Sequence, residues 1–136
     1  MRLDTYVNYA GTCEAAFRFY EQQLGGKITV LMTHEHQPNP QVPENWKKKI
    51  LHARLEVGDA VLLGADIPGA EPMRSAYVTL TADDVQEAER LYQLLAEQGQ
   101  VFMKMEETSF AARFAMLQDR FGTSWMLLAE VQTRSR

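Results

Sequence analysis

The sequence predicts an α+β fold of two βαβββ modules, residues 3–66 and 74–130, within one domain spanning residues 1–136. Three observations carry that expectation. Stretches that alternate apolar and polar residues are interrupted once in each half by a run with helical periodicity. The order of those stretches before a proline- and glycine-containing linker at 67–72 repeats after it. Each half then has one helix for four strands, so the helix covers one sheet face and the other must find a partner. Two such halves side by side predict a curved mixed sheet whose concave side is a trough.

Leu3 to Tyr9 is the first strand, with Leu3, Thr5, Val7 and Tyr9 on one face and Asp4, Tyr6 and Asn8 on the other. Gly11-Thr12 breaks it, and the Thr12 hydroxyl is placed to cap a helix from Cys13 to Leu24. Cys13, Ala16, Phe17, Tyr20 and Leu24 form its apolar stripe, and Gly25-Gly26 ends it. Lys27 to Glu35 alternates Ile28, Val30 and Met32 with polar residues and reads as a strand. Pro38, Pro40 and Pro43 make 37–45 a loop, because proline donates no ladder hydrogen bond. Ile50 to Val57 places Leu51, Ala53 and Leu55 opposite His52, Arg54 and Glu56; Gly58-Asp59 turns the chain into a returning strand, Ala60 to Ala65.

After the linker, Ser75 to Thr81 sets Tyr77, Thr79 and Thr81 opposite Ala76, Val78 and Leu80. Asp83 is positioned as a helix cap with Gln86 reaching back to it. Val85, Ala88, Leu91, Tyr92 and Leu95 form the second helical stripe, closed by Gly99. Gln100 to Met105, Arg113 to Gln118 and Ser124 to Glu130 are the remaining strands, the last two joined at 119–122. Local residues repeat as well: Phe19-Tyr20 with Leu24 and Gly25 echoes Leu91-Tyr92 with Leu95 and Gly99. Gly58 ahead of Leu62-Leu63 echoes Gly122 ahead of Leu127-Leu128, which points to a duplication.

The formal net charge of −4 argues against nucleic-acid binding, which needs a basic stripe. Lys47-Lys48-Lys49 is too short to supply one; it reads as a solvated strand entrance or a guide for an anionic ligand. A single cysteine, Cys13, allows no intrachain disulfide and no cysteine-based zinc site. There is no signal-peptide pattern at Met1 and no apolar run of membrane-spanning length, so a cytoplasmic protein without a membrane partner is expected.

Phe19-Tyr20 with Leu24-Gly25 resembles the helix end of the vicinal oxygen chelate superfamily, which includes glyoxalase I, ring-cleaving dioxygenases and the bleomycin and fosfomycin resistance proteins. Residues 8–16, 50–53, 107–114 and 119–125 are similar to its PhnB-like branch, so the resemblance runs from Leu3 to Glu130. It implies the glyoxalase/bleomycin-resistance/dioxygenase-like fold and a homodimer. In metal-dependent members four side chains in the trough hold one divalent ion. Matched by motif, those positions fall on Thr5, His52, Tyr77 and Met126. Only His52 is a usual ligand, so no metal or other cofactor is carried over, and Lewis-acid isomerisation or ring cleavage is not expected. A methyltransferase label attached to this branch finds no glycine-rich nucleoside-binding loop here.

Candidate residues follow from face and chemistry. His52 reads as a ligand hydrogen-bonding group or proton carrier, or as a histidine satisfied by a neighbouring strand. Arg54 either pairs across strands with Glu56 or takes a carboxylate or phosphate. Tyr77 and Thr79 are placed as ligand-wall donors, and Met116 and Met126 flanking Trp125 as an adaptable apolar pocket. Phe110 stands in a stretch that is either a lid or an ordinary turn. His34-Glu35-His36 puts two imidazoles on one strand face, a zinc-compatible spacing at a strand end where side chains are usually solvated. The leading expectation is a metal-free protein that binds a small molecule through Thr5, His52, Arg54, Tyr77, Thr79, Phe110, Met116, Trp125 and Met126. The alternatives are a lyase, isomerase or dioxygenase-type enzyme using His52 as base or metal ligand, and a protein-interaction module.

Overall fold

Alternation and helical periodicity resolve into four strands and one helix in each half of the chain. The structure, a computed structural model, describes residues 1–131 and divides into two units, Met1–Glu71 and the chain from Pro72 onward. The first contains β1 (Thr5–Tyr9), α1 (Cys13–Leu24), β2 (Lys27–Thr33), β3 (Ile50–Val57) and β4 (Ala60–Asp66). The second contains β5 (Val78–Ala82), α2 (Val85–Ala96), β6 (Gln100–Glu106), β7 (Ala111–Gln118) and β8 (Ser124–Glu130). The sheet orders are β1-β4-β3-β2 and β5-β8-β7-β6. In each, the first strand runs parallel to the last and the other neighbours are antiparallel. The fold is thus α+β with two βαβββ modules of mixed four-stranded sheets. No helix among the described residues is long and apolar enough to cross a membrane.

In the first unit Cys13, Ala16, Phe17 and Tyr20 turn one face of α1 onto the sheet and are fully buried. Tyr9 meets Phe17 edge-on at 6.1 Å between centroids. Gly64 is required beneath that contact: a Cβ there would come within 2.8 Å of the Phe17 ring. Burying a side chain of this size contributes about 1.5–3 kcal/mol. In the second unit Ala88, Leu91 and Leu95 of α2 are buried, as are Ala115, Leu117, Trp125, Leu127 and Ala129 of the sheet.

The α1 cap departs from expectation. Thr12 has φ −113° and ψ 14° and makes no capping hydrogen bond. Asp66, at the end of β4, does that work instead. Its Oδ1 accepts from Gly11 N (3.0 Å) and Cys13 N (2.9 Å), and its Oδ2 from Ile50 N (2.9 Å). A carboxylate accepts charge-assisted bonds better than a hydroxyl, and its position is fixed by β4. The α2 cap is Asp84, not Asp83: its Oδ1 accepts from Glu87 N at 2.7 Å. Two acidic residues in succession offered both registers, and the backbone at Asp84 is extended as a cap requires.

Candidate functional site

The parity of β1 decides what the first unit presents. Val7 and Tyr9 are buried on the α1 side, so Thr5, exposed at the strand start, shares that side, and Tyr6 and Asn8 lie on the other. Thr5, expected on the open face, is therefore corrected: Tyr6 takes its place. The alternation of Asp4, Tyr6 and Asn8 opposite Val7 and Tyr9 carries this signal in the sequence, against the motif match that falls on Thr5.

His52 lies on the same face, because Ala53 and Leu55 are buried towards α1 and β3 alternates. The Tyr6 hydroxyl and His52 Nδ1 stand 3.1 Å apart, and their rings stack at 5.7 Å with 22° between planes. Burial, and secondarily the proximity of Cys13, holds the Tyr6 phenol above its ordinary value. The hydroxyl therefore keeps its proton at neutral pH. If it donates to Nδ1, the imidazole presents Nε2–H outward. If Nδ1–H donates to the phenol oxygen, Tyr6 presents its proton and Nε2 becomes an acceptor. Either way the pair offers a proton on one side.

Arg54 and Glu56 continue the row. Arg54 Nε donates to Glu56 Oε2 at 3.1 Å along β3, so the pair expected across strands runs along one strand. Hydrogen bonding from Thr29, then from Arg54, holds the Glu56 carboxyl below the usual range. The three lysines are engaged locally: Lys47 with Glu44, Lys48 with Glu35, and Lys49 donating to the Gly11 carbonyl.

The second unit presents a different face. Thr79 pairs with Met126, Met126 with Met116, and Met116 with Met103, so one row across β5, β8, β7 and β6 carries a threonine and three methionines. Tyr77 precedes β5 instead of lying within it, and meets Phe102 edge-on at 6.5 Å. Phe110 is 63% exposed, rests edge-on against Phe114 at 5.1 Å, and follows a turn whose Thr108 hydroxyl accepts from Phe110 N and Ala111 N. Trp125, expected in an apolar ligand pocket between Met116 and Met126, is corrected to core. It is buried on the side of Leu127 and Ala129, and its Nε1 donates to Asp119 Oδ2 at 2.9 Å. Met116 and Met126, its neighbours in the earlier grouping, lie on the opposite face.

The His34-Glu35-His36 imidazoles separate. The strand ends at Thr33 and a 3-10 turn follows, which buries His34 with Nε2 donating to the Asp66 carbonyl at 2.7 Å. His36 is exposed and bonds Thr33. The positions matched to a divalent ion do not fit one. Thr5 faces α1, His52 is accompanied by a phenol and a guanidinium, Tyr77 rests against the Phe102 ring, and Met126 is flanked by Met116 and Thr79. Among the described residues no three His, Cys, Asp or Glu side chains gather to hold an ion.

Two cavities open in the first unit. One of about 660 Å³ lies within the proline loop between His34 and Lys47. The other, about 430 Å³, reaches from Tyr6 and Asn8 to that loop and to Ile67 and Pro68.

This architecture has known counterparts. Residues 2–127 match the family described as Glyoxalase/Bleomycin resistance protein/Dioxygenase superfamily. The chain is 26% identical over 138 residues to Protein YjdN of Escherichia coli K12, covering 93% of this chain and 94% of that one. The crystal structure of protein PA1353 from Pseudomonas aeruginosa is 38% identical, with TM-score 0.86 over 96% of this chain and 98% of that one. The PhnB protein from Bacillus cereus shares the fold at 19% identity, with TM-score 0.80 over 95% and 99% of the two chains. With its two βαβββ modules and a family match over nearly all its length, the chain belongs to the glyoxalase/bleomycin resistance protein/dioxygenase superfamily.

Proposed function

We propose that this chain binds a small organic molecule on the open face of the first unit's sheet, at Tyr6 and His52, without a divalent ion. The observation that carries the reading is the Tyr6–His52 pair: two stacked rings, joined by a 3.1 Å contact, on the face that α1 does not cover. A phenol and an imidazole combine aromatic surface with a fixed donor–acceptor pattern, which suits an organic ligand bearing one polar atom. Arg54, half-buried beside them and already neutralised by Glu56, adds planar surface without an uncompensated positive charge. The methionine row gives the second unit's open face a soft, adaptable apolar character compatible with ligand contact.

The same pair supports a second reading. A phenol bonded to an imidazole can pass a proton from one side of the pair to the other, so a bound molecule could undergo proton transfer with His52 as base.

Native mass spectrometry of the chain purified from cell extract tests the binding. The wild type is expected to retain a small organic mass that His52→Ala and Tyr6→Phe both lose while keeping the wild-type circular dichroism. Retention by both variants would defeat the reading. Micromolar Zn²⁺, Ni²⁺ or Mn²⁺ binding that disappears in His52→Ala would defeat its metal-free part.

A further inference from the structure

The polar lining of the 430 Å³ cavity beside Tyr6 is mostly side-chain amide, joined by the Tyr6 phenol and the His34 imidazole. Asn8, Gln37, Asn39 and Gln41 bring neutral amides to it, from β1 and from the proline loop. Asn39 spends its Oδ1 on Gln41 N at 2.9 Å. The side-chain amides of Asn8, Gln37 and Gln41 have no hydrogen-bond partner among the described residues. Val42, Leu51, Ala65, Ile67 and Pro68 form the apolar remainder, and no carboxylate, lysine or arginine lines the cavity.

His34 sets the direction of recognition. Its Nε2 lies 2.7 Å from the Asp66 carbonyl, and a carbonyl only accepts, so the ring proton sits on Nε2. In the neutral ring Nδ1 is then an acceptor, and it has no partner among the described residues. No buried side-chain nitrogen or oxygen among them lacks a partner, so Nδ1 remains accessible although His34 is only 8% exposed. The wall that His34 contributes therefore asks for a donor, and the amides answer with both donors and acceptors.

We propose that this cavity takes the head of the ligand, and that the head is a neutral group with an adjacent donor and acceptor, of the primary carboxamide or lactam kind. The inference rests on the open face of the first unit being the ligand site, and names the chemistry of the part that enters. A carboxylate has no proton for the His34 acceptor and finds no cation in the cavity. An ammonium finds no carboxylate. A carboxamide satisfies His34 with its N–H and an asparagine or glutamine N–H with its oxygen, and its planar body lies against the apolar side.

Benzamide, benzoate and benzylammonium share nearly the same shape and differ in charge and donor pattern. Each is titrated into the ¹⁵N-labelled full chain, with backbone and side-chain amide signals followed by NMR. Benzamide is expected to move the side-chain NH₂ signals of Asn8, Gln37 and Gln41 and the backbone signal of Ala65, and to bind about tenfold more tightly than the other two. Asn8→Leu is expected to lose about that factor for benzamide. Asn8→Asp should move the preference to benzylammonium, and the spectra of both variants report directly whether they are folded. Equal response to the three probes, or movement at His52 and Arg54 with none at the cavity, overturns the carboxamide reading and leaves binding on the open face standing. Silence at both places overturns the two together.

Discussion

The two units have the same strand order and the same helix placement, yet their open faces share almost no chemistry. The first carries Tyr6, His52, Arg54 and Glu56 in hydrogen-bonded pairs; the second carries Thr79, Met126, Met116 and Met103 in one ladder row. On the helix side the units agree: small residues and large apolar ones alternate under α1 and under α2. The side that packs is constrained by volume and tolerates little, whereas the uncovered side is free of that constraint. A duplicated module can therefore keep its fold while its two copies diverge in chemistry.

Buried carboxylates show the same division at the level of the backbone. Asp66 gathers Gly11, Cys13 and Ile50, tying the end of β4 to the starts of α1 and β3. Asp119 serves a turn instead: Oδ1 accepts from Phe121 N and Thr123 N, and Oδ2 from the Trp125 indole. Asp66→Ala and Asp119→Ala each strand three donors, and each is expected to cost about 3–5 kcal/mol, at the upper end of single-site effects. Urea unfolding followed by both circular dichroism and Trp fluorescence would measure it. Asp66→Ala is expected to fray α1 as well, seen as lost helical signal before the main transition. A cost of less than about 1 kcal/mol for either substitution would show that the carboxylate does not hold its backbone donors in place.

Element order was legible in the sequence because alternation and helical stripes are properties of the helix-facing side, and that side is the one the two units share. The residues that escaped are those whose role depends on a contact distant in sequence. Nothing near Thr12 announces that Asp66, more than fifty residues on, accepts the N–H groups at the start of α1. Nothing in His34-Glu35-His36 says that a 3-10 turn will bury the first imidazole against the Asp66 carbonyl. Composition groups Trp125 with Met116 and Met126, but its alternation with Leu127 and Ala129 places it in the core. Tyr6 was readable from parity alone, and His52 was placed on its face by the same rule.

Cys13 offers a test confined to the first unit, since the chain has no other cysteine. Burial, then the negative charges of Asp66 and Glu14, push its thiol well above its ordinary value near 9.0. The folded state holds that proton after the unfolded chain has lost it. The contribution to stability is therefore complete below pH 9.0 and is lost as the pH rises beyond it. Up to about 1.4 kcal/mol per pH unit is at stake for one such group. Tyr6, raised in the same sense, adds to the same alkaline loss. Cys13→Ala is expected to flatten the fall in urea midpoint between pH 8 and pH 10.5 relative to the wild type. An unchanged slope would place the alkaline sensitivity elsewhere, and the two units would then be equivalent in this respect.

The smallest expected effect concerns how the helices end. α1 closes on Gly25, whose φ of 71° is open to glycine without penalty, and Gly26 N–H then bonds the Glu21 carbonyl. α2 ends on Glu97 in extended conformation, and the left-handed residue follows in the next turn at Gln98, with φ 59°, closed by Gly99 N–H donating to the Ala96 carbonyl at 2.9 Å; the glycine serves another purpose as well. Any Cβ at Gly99 would collide with the Gln118 carbonyl, so this glycine is fixed by the approach of the β7 backbone rather than by its own dihedral. A non-glycine residue in the left-handed region costs about 1–2 kcal/mol, part of which the greater freedom of glycine in the unfolded chain takes back. Gln98→Gly is accordingly expected to stabilise the chain by about 0.5–1 kcal/mol, measured as a rise in urea midpoint at unchanged slope. Gly25→Gln, the reciprocal exchange in the first unit, is expected to destabilise by a similar amount, because nothing lies within 4 Å of the added Cβ and only the dihedral is at issue. If the two exchanges moved stability in the same direction, the left-handed residue would not be what distinguishes the two helix ends.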